Sequence, residues 1–291
     1  MKVLITGGQG QLGRALQKVF ASSGLSVWAP DIADLDITQE IAKCKLQIAK
    51  CKMGDAGLLI NCAAYTNVDK AEAEPELALR VNAQAAETLA QVAKDLGMIF
   101  VHISTDYVFS GRVCEPYTEA SIPDPLSVYG RSKAEGERLV AAVGASYYIV
   151  RSAGLYGHGG AAGKGGHTML DFVIHQAKAG KPLKLVTDQC SSPTFVEHLA
   201  EGILNLVQNK VPYGLYHMVN QGGCTWFDFG QEVLRQAGIV YEIQEAKSND
   251  FMHRPAARPA YSILANTKLS ALGLTMPTWQ QGIRDYLDIK S

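Results

Sequence analysis

Thr6-Gly7-Gly8-Gln9-Gly10-Gln11-Leu12-Gly13 is the stretch that decides the fold. It follows the short apolar run Val3–Thr6. It opens a segment in which Leu12, Leu16, Val19 and Phe20 recur at helical spacing, closed by Gly24. The glycines fall as GxxGxxG. A phosphate can approach backbone only where no Cβ intervenes, and a helix N-terminus offers unpaired N–H groups and a positive dipole end. Gly7 suits the tight turn, Gly10 the close approach and Gly13 the contact of helix with strand. Alone, such a triplet also reads as ordinary turns; its place between a first strand and a first helix favours a dinucleotide loop. Asp31 ends the second strand, Ser26–Pro30. It reads either as a turn aspartate or as an acceptor for both ribose hydroxyls of an adenosine. In the second role its charge would oppose a 2′-phosphate and favour NAD.

Outward from this loop, apolar strands at Leu58–Ala64, Ile99–Ser104 and Tyr147–Ser152 alternate with helix-prone stretches at Ala71–Leu96 and Ser127–Val143. This pattern predicts an α/β fold, a Rossmann-type doubly wound parallel sheet covered on both faces. The pentapeptide from Ile41 recurs at Ile48, two helical turns on, and predicts an amphipathic crossover helix with a basic outer face. The second half is different. His158–His167 is almost all Gly, Ala and Lys, so it reads as a loop. Shorter elements follow: strands near Leu183–Asp188 and Leu215–Val219, helices near Glu197–Gln208, Trp226–Ala237 and from Trp279. The expected layout is a dinucleotide-binding domain over 1–153, to which later strands and helices return. A smaller, interleaved α/β cap over 154–291 would mainly bind substrate.

With 27 Lys and Arg against 28 Asp and Glu, the net charge is −1. The chain has no bulk attraction for nucleic acid or anionic lipid. No apolar run approaches the ~20 residues of a bilayer span, and the first residues do not read as a signal peptide. Six cysteines without a CxxC pair fit free thiols in a reducing cytoplasm.

Tyr129 and Lys133 stand at i and i+4, one turn apart on one helix face. A nearby cation favours a phenolate and lowers the phenol's pKa. Tyr129 is therefore the candidate proton donor to a carbonyl oxygen that is reduced by hydride. Thr105, just past the strand Ile99–Ile103, is placed to hydrogen-bond the same oxygen, since ligands of parallel sheets sit beyond the strands' carboxyl ends.

These residues resemble the extended short-chain dehydrogenase/reductase superfamily and, within it, the dTDP-4-dehydrorhamnose reductase family. The resemblance covers nearly the whole chain. Its sharpest strings are the run from Asn61 to Glu72, containing Val68-Asp-Lys-Ala-Glu72, and Ser104-Thr-Asp-Tyr-Val-Phe109. Val81-Asn82, Asp188-Gln189, Ser192-Pro193-Thr194, Thr225-Trp226-Phe-Asp228 and the Arg-Pro pairs at 254 and 258 add to it. The resemblance implies reduction of the C4 ketone of dTDP-4-dehydro-L-rhamnose by NADPH or NADH, in a homodimer. It implies Thr105, Tyr129 and Lys133 as catalytic. It implies cofactor contacts from Gly7, Gln9, Gly10, Gln11, Leu12, Gly13, Asp31, Asp36, Ile37, Ala63, Ala64, Tyr65, Asn82, Tyr129 and Lys133. Substrate contacts are expected from Thr105, Asp106, Tyr107, Val108, Gly154, Gln189 and Arg258.

Three departures stand out. The family reads Arg-Thr-Ser-Trp after the fifth strand, with the tryptophan against the sugar; here the run is Arg151-Ser152-Ala153-Gly154. Gly154 then either leaves room for a different sugar or is compensated by another aromatic, such as Tyr156. The loop 158–167 is longer than the family's. Where some members have a metal-binding glutamate this chain has Ala15, so no metal is expected, and His158, His167 and His175 lack partners at ligand spacing. Arg254 and Arg258 read either as a clamp on a diphosphate or as surface ion pairs. Trp226 and Trp279 read as core or interface, and Cys62 as a small buried residue. The alternatives are a reductase of another nucleotide-linked keto sugar, or a non-catalytic dinucleotide-binding subunit similar to the methionine adenosyltransferase beta subunit.

Overall fold

The computed structural model describes residues 1–30, 32–50, 57–158, 168–251 and 255–290. Its first half runs β1 (Lys2–Thr6), α1 (Gln11–Ser22), β2 (Ser26–Trp28), α2 (Ile41–Lys50), β3 (Leu58–Asn61), α3 (Val68–Ala73), α4 (Pro75–Leu79), α5 (Ala85–Asp95), β4 (Ile99–Thr105), α6 (Val128–Val143) and β5 (Tyr147–Ser152). There follow β6 (Leu155–Tyr156), α7 (Met169–Lys178), β7 (Lys184–Val186), β8 (Cys190–Ser191), β9 (Thr194–Phe195), α8 (Val196–Gln208), β10 (Gly214–His217), β11 (Cys224–Thr225), α9 (Trp226–Gln236), β12 (Gln244–Ala246), α10 (Thr267–Ala271) and α11 (Trp279–Lys290).

Val3, Leu4 and Ile5 have no exposed surface, as a strand covered on both faces requires. Alternation along β1 sends Val3 and Ile5 into a core with Leu16 and Phe20 of α1 and Leu199 and Ile203 of α8. Leu4 joins Ala86 and Leu89 of α5, and Cys44 and Ile48 of α2, on the other face. The sheet has six strands in the order β10-β5-β4-β3-β1-β2, all parallel. Its winding reverses between β1 and β3, so a crevice opens beyond their carboxyl ends.

Two expectations need correcting. The stretch Ala71–Leu96 is not one helix. Pro75 has no N–H and starts α4 at its first position after a non-helical Glu74, and a π-helical turn, Arg80–Gln84, separates α4 from α5. The third strand stops at Asn61 instead of reaching Ala64, which leaves residues 62–67 as a loop at the crevice. α2 forms as expected, with Cys44 and Ile48 inward. A third core, around Tyr156, Phe195, Phe229, Trp279 and Tyr286, belongs to the elements of the second half.

Candidate active site

The glycine loop is built as its spacing suggests. Gly7 has φ +68°, and a Cβ there would lie 2.6 Å from the Ala63 nitrogen. A Cβ on Gly13 would collide with the Gly7 carbonyl. Gly10 is the N-cap of α1 with no side-chain cap, and the first turn carries no acidic residue. A Cβ on Gly10 would meet only the Gly7 carbonyl, at 3.2 Å, so the space before the helix N-terminus is open. Uncapped N–H groups facing open space suit a pyrophosphate. Leu12 is buried under the loop, and Gln9 is exposed. Gln11 donates to the Leu155 carbonyl at 3.2 Å, while its Oε1 and the Ser152 Oγ are buried without a protein partner. Two orphaned polar atoms at the sheet's carboxyl edge are what a missing ligand would leave.

Asp31 lies outside the described residues. Asp36 uses its carboxylate locally, accepting from the Thr38 amide and hydroxyl and from Gln39; these bonds hold its pKa low against the opposing effect of burial. Ile37 is buried in the core. Ala63, Ala64 and Tyr65 line the loop after β3, and Asn82 fixes it. The buried Asn82 amide accepts from the Tyr65 N–H (2.8 Å), donates to the Tyr65 carbonyl (3.1 Å) and donates to Ser132 Oγ (2.9 Å). The π turn, not foreseen in the sequence, presents this side chain inward.

α6 starts at a Ser127 cap that accepts from Gly130 N, and Glu72 accepts from Val128 N at 2.8 Å. An anion at that helix end is favourable. A Cβ on Gly130 would collide with the Tyr107 carbonyl, so glycine lets α6 close on the turn after β4. The Tyr107 ring meets Tyr129 edge-on at 5.7 Å. Thr105 neighbours the Tyr129 phenol and draws its pKa down. Thr105 caps the turn 106–108, accepting from Tyr107 N at 3.2 Å and donating to Asp106 Oδ1 at 3.0 Å. The structure thus brings Thr105, Tyr129 and Lys133 to one place.

The tuning differs from expectation. Burial pushes the Tyr129 phenol above its ordinary pKa; Thr105 pulls it down, while Asp106 and Tyr107 push it further up. Lys133 is itself buried, donates to the Ile103 carbonyl at 2.6 Å, and has its pKa lowered to about 8 by desolvation, against the opposing pull of Glu137. Tyr129 is therefore held protonated, and the neighbours that shift it are Thr105, Asp106 and Tyr107 rather than Lys133.

Asp106 is buried and accepts from Ser262 Oγ (2.5 Å) and Ser191 Oγ (3.3 Å); burial raises its carboxyl to about 6, with those bonds opposing. It ties Thr105 to the second half. The Val108 side chain is fully buried with Phe109 and Leu264, so only its backbone can meet a ligand. Gln189 donates to Ser248 Oγ. Arg258 forms a forked pair with Asp69, at 2.6 and 3.2 Å, joining the two halves of the chain. Arg254 lies outside the described residues. The space at Gly154 is not open: a Cβ there would lie 3.1 Å from Pro193 Cα and 3.4 Å from Trp226 Cη2. Tyr156 does not compensate, being fully buried between Phe195 and Phe229. Cys62 is a partly buried thiol raised to about 12 by burial, against the pull of Lys133, unsuited to nucleophilic work. His158 stacks on Tyr286, and among the described residues no group of three or more His, Cys, Asp or Glu could hold a metal.

The sequence reading missed the buried Glu137–Arg151 pair, at 2.6 and 2.8 Å, with Ser104 Oγ donating to Glu137 at 2.5 Å and His217 3.5 Å from Arg151. A signal existed: Tyr129, Lys133 and Glu137 continue one i, i+4 stripe.

A glycine-cradled dinucleotide loop with a Thr–Tyr–Lys set defines a short-chain reductase site. The chain belongs to the RmlD substrate binding domain family, which matches residues 1–291. It is 33% identical to the dTDP-4-dehydrorhamnose reductase of Escherichia coli, over 99% of this chain and 97% of that one. It is 32% identical to the spore coat polysaccharide biosynthesis protein SpsK of Bacillus subtilis, over 100% and 98%. The crystal structure of dTDP-4-dehydrorhamnose reductase from Bacillus anthracis in complex with NADP superposes with a TM-score of 0.91 at 35% identity, covering 100% of this chain and 99% of that one.

Proposed function

We propose that this protein reduces the C4 ketone of dTDP-4-dehydro-L-rhamnose with NADPH or NADH, giving dTDP-L-rhamnose. The observation that carries the reading is the meeting of Thr105, Tyr129 and the buried Lys133 at the carboxyl edge of a sheet whose glycine loop has room for a pyrophosphate. The reduced nicotinamide supplies a hydride to the carbonyl carbon. Tyr129 gives its hydroxyl proton to the ketone oxygen, so ketone, hydride and proton balance as a secondary alcohol. Thr105, turning its one hydroxyl proton from Asp106 to the substrate, hydrogen-bonds that oxygen, and Lys133 offsets the charge left on the phenolate until solvent returns a proton. Acid assistance of this kind is worth ~10²–10⁴ in rate.

Residues 1–153 hold the cofactor and 154–291 mainly the sugar nucleotide, with α8 and β10 returned to the cofactor half. Arg258, released from Asp69, is the group for the substrate's diphosphate. The protein works as a cytoplasmic homodimer; among the described residues no helix is long and apolar enough to cross a membrane. Incubation with NADPH and dTDP-4-dehydro-L-rhamnose, followed by nicotinamide absorbance, tests the reading. Steady oxidation that needs the sugar is expected. Tight NADPH binding with no oxidation would leave a regulatory subunit instead.

A further inference from the structure

Gly154 sits two residues beyond β5, whose last residue, Ser152, is in register with Thr105. Its φ of +55° is one that side-chain-bearing residues rarely adopt. The atoms that a side chain there would meet include the six-membered ring of Trp226. That ring comes from an element 72 positions later in the chain, yet it is held firmly. Trp226 opens α9, whose start is fixed by a reciprocal cap: Thr225 Oγ1 accepts from Asp228 N, and Asp228 accepts from Thr225 N. The ring stands edge-on to the buried Phe229 at 5.8 Å and 83°. The preceding strand β11 pairs with β8, where Ser191 donates to Asp106, the carboxylate that anchors Thr105. One chain of contacts therefore links the indole to the Thr105 hydroxyl. Trp226 is only partly buried, although an indole in the core of this half, Trp279, is almost wholly so.

We propose that Trp226 is the aromatic wall of the sugar subsite and sets which hexopyranose is accepted, the apolar C–H face of the ring lying against the indole. This rests on the reductase reading above. Gly154 is small so that the Trp226 ring can reach the crevice. The ring is carried on the first turn of α9, edge-on to the buried Phe229. An indole offers a large, rigid apolar face at little entropic cost and suits the C–H face of a sugar better than an aliphatic side chain.

The test is calorimetric binding of dTDP-L-rhamnose and of dTDP alone to the NADP-loaded protein, for wild type, W226F and W226A, alongside kcat and KM. W226A should weaken dTDP-L-rhamnose roughly fivefold to tenfold, leave dTDP within about twofold, and raise KM far more than it lowers kcat. W226F should recover most of the loss. Should W226A fail to fold, W226L, which keeps apolar bulk over Phe229 without a ring, carries the same comparison. Unchanged sugar-nucleotide binding in W226A or W226L, or an equal loss of dTDP, overturns the role of Trp226 while wild-type turnover upholds the reductase reading. A wild-type protein that neither binds dTDP-L-rhamnose nor oxidises NADPH overturns both.

Discussion

The ammonium of Lys133 is bonded to the carbonyl of Ile103, 2.6 Å away on β4, and not to the phenol of Tyr129 one turn earlier on its own helix. The strand thus holds the cation beneath the crevice. Burial lowers its pKa from 10.5 to about 8. Between those values the unfolded chain keeps a proton that the folded chain has shed, so stability rises as pH increases through that window. The difference of 10.5 − 8 = 2.5 corresponds to about 3 kcal/mol at most. Lys133→Met should lack this rise, as read by urea midpoints across the window; parallel pH curves for both proteins would refute it.

Tyr129→Phe removes the one proton that the reaction needs and leaves the ring against Tyr107. Turnover should fall by ~10²–10⁴, with NADPH affinity unchanged by fluorescence titration. Turnover within threefold of wild type would remove Tyr129 from the acid role.

Glu137 and Arg151 are both buried and doubly hydrogen-bonded. Removing one charge strands the other, at a cost of about 3–5 kcal/mol. Glu137→Gln should be destabilised by that order in denaturant unfolding. The double variant Glu137→Leu/Arg151→Leu should be less impaired than either single leucine variant, an ordering that an additive pair would not give.

Arg258 contributes either to substrate binding or only to joining the two halves through Asp69. In the first case Arg258→Ala raises KM for the sugar nucleotide by roughly 10- to 100-fold, the worth of charge-assisted bonds to a diphosphate. We expect this, with NADPH affinity unchanged. A normal KM accompanied by a lower melting temperature would mark a purely structural bridge.

Asp31→Ala should weaken NADH more than NADPH, because the carboxylate would otherwise accept from the 2′-hydroxyl. Equal losses in the two dissociation constants would mean that Asp31 does not choose between them.

Much of this protein is written in local pattern. The run Thr6–Gly13, the apolar strands and the Tyr129/Lys133 spacing each act over a few residues, where backbone sterics and helical periodicity leave little choice. Those stretches determined the parallel sheet, the uncapped glycine loop and the helix that brings Tyr129 beside Thr105. Local pattern misjudged Ala71–Leu96, where Pro75 and the π turn divide a helix-prone stretch, and it left open whether Gly154 made room for a different sugar or was compensated by an aromatic such as Tyr156. Only the tertiary structure decided what faces Gly154, that Arg258 is met by Asp69 189 positions away, and that Asp106 is held by Ser262 156 positions on. Such pairings depend on how separate elements pack around a shared core, and burial then sets the charge and proton affinity of whatever they enclose.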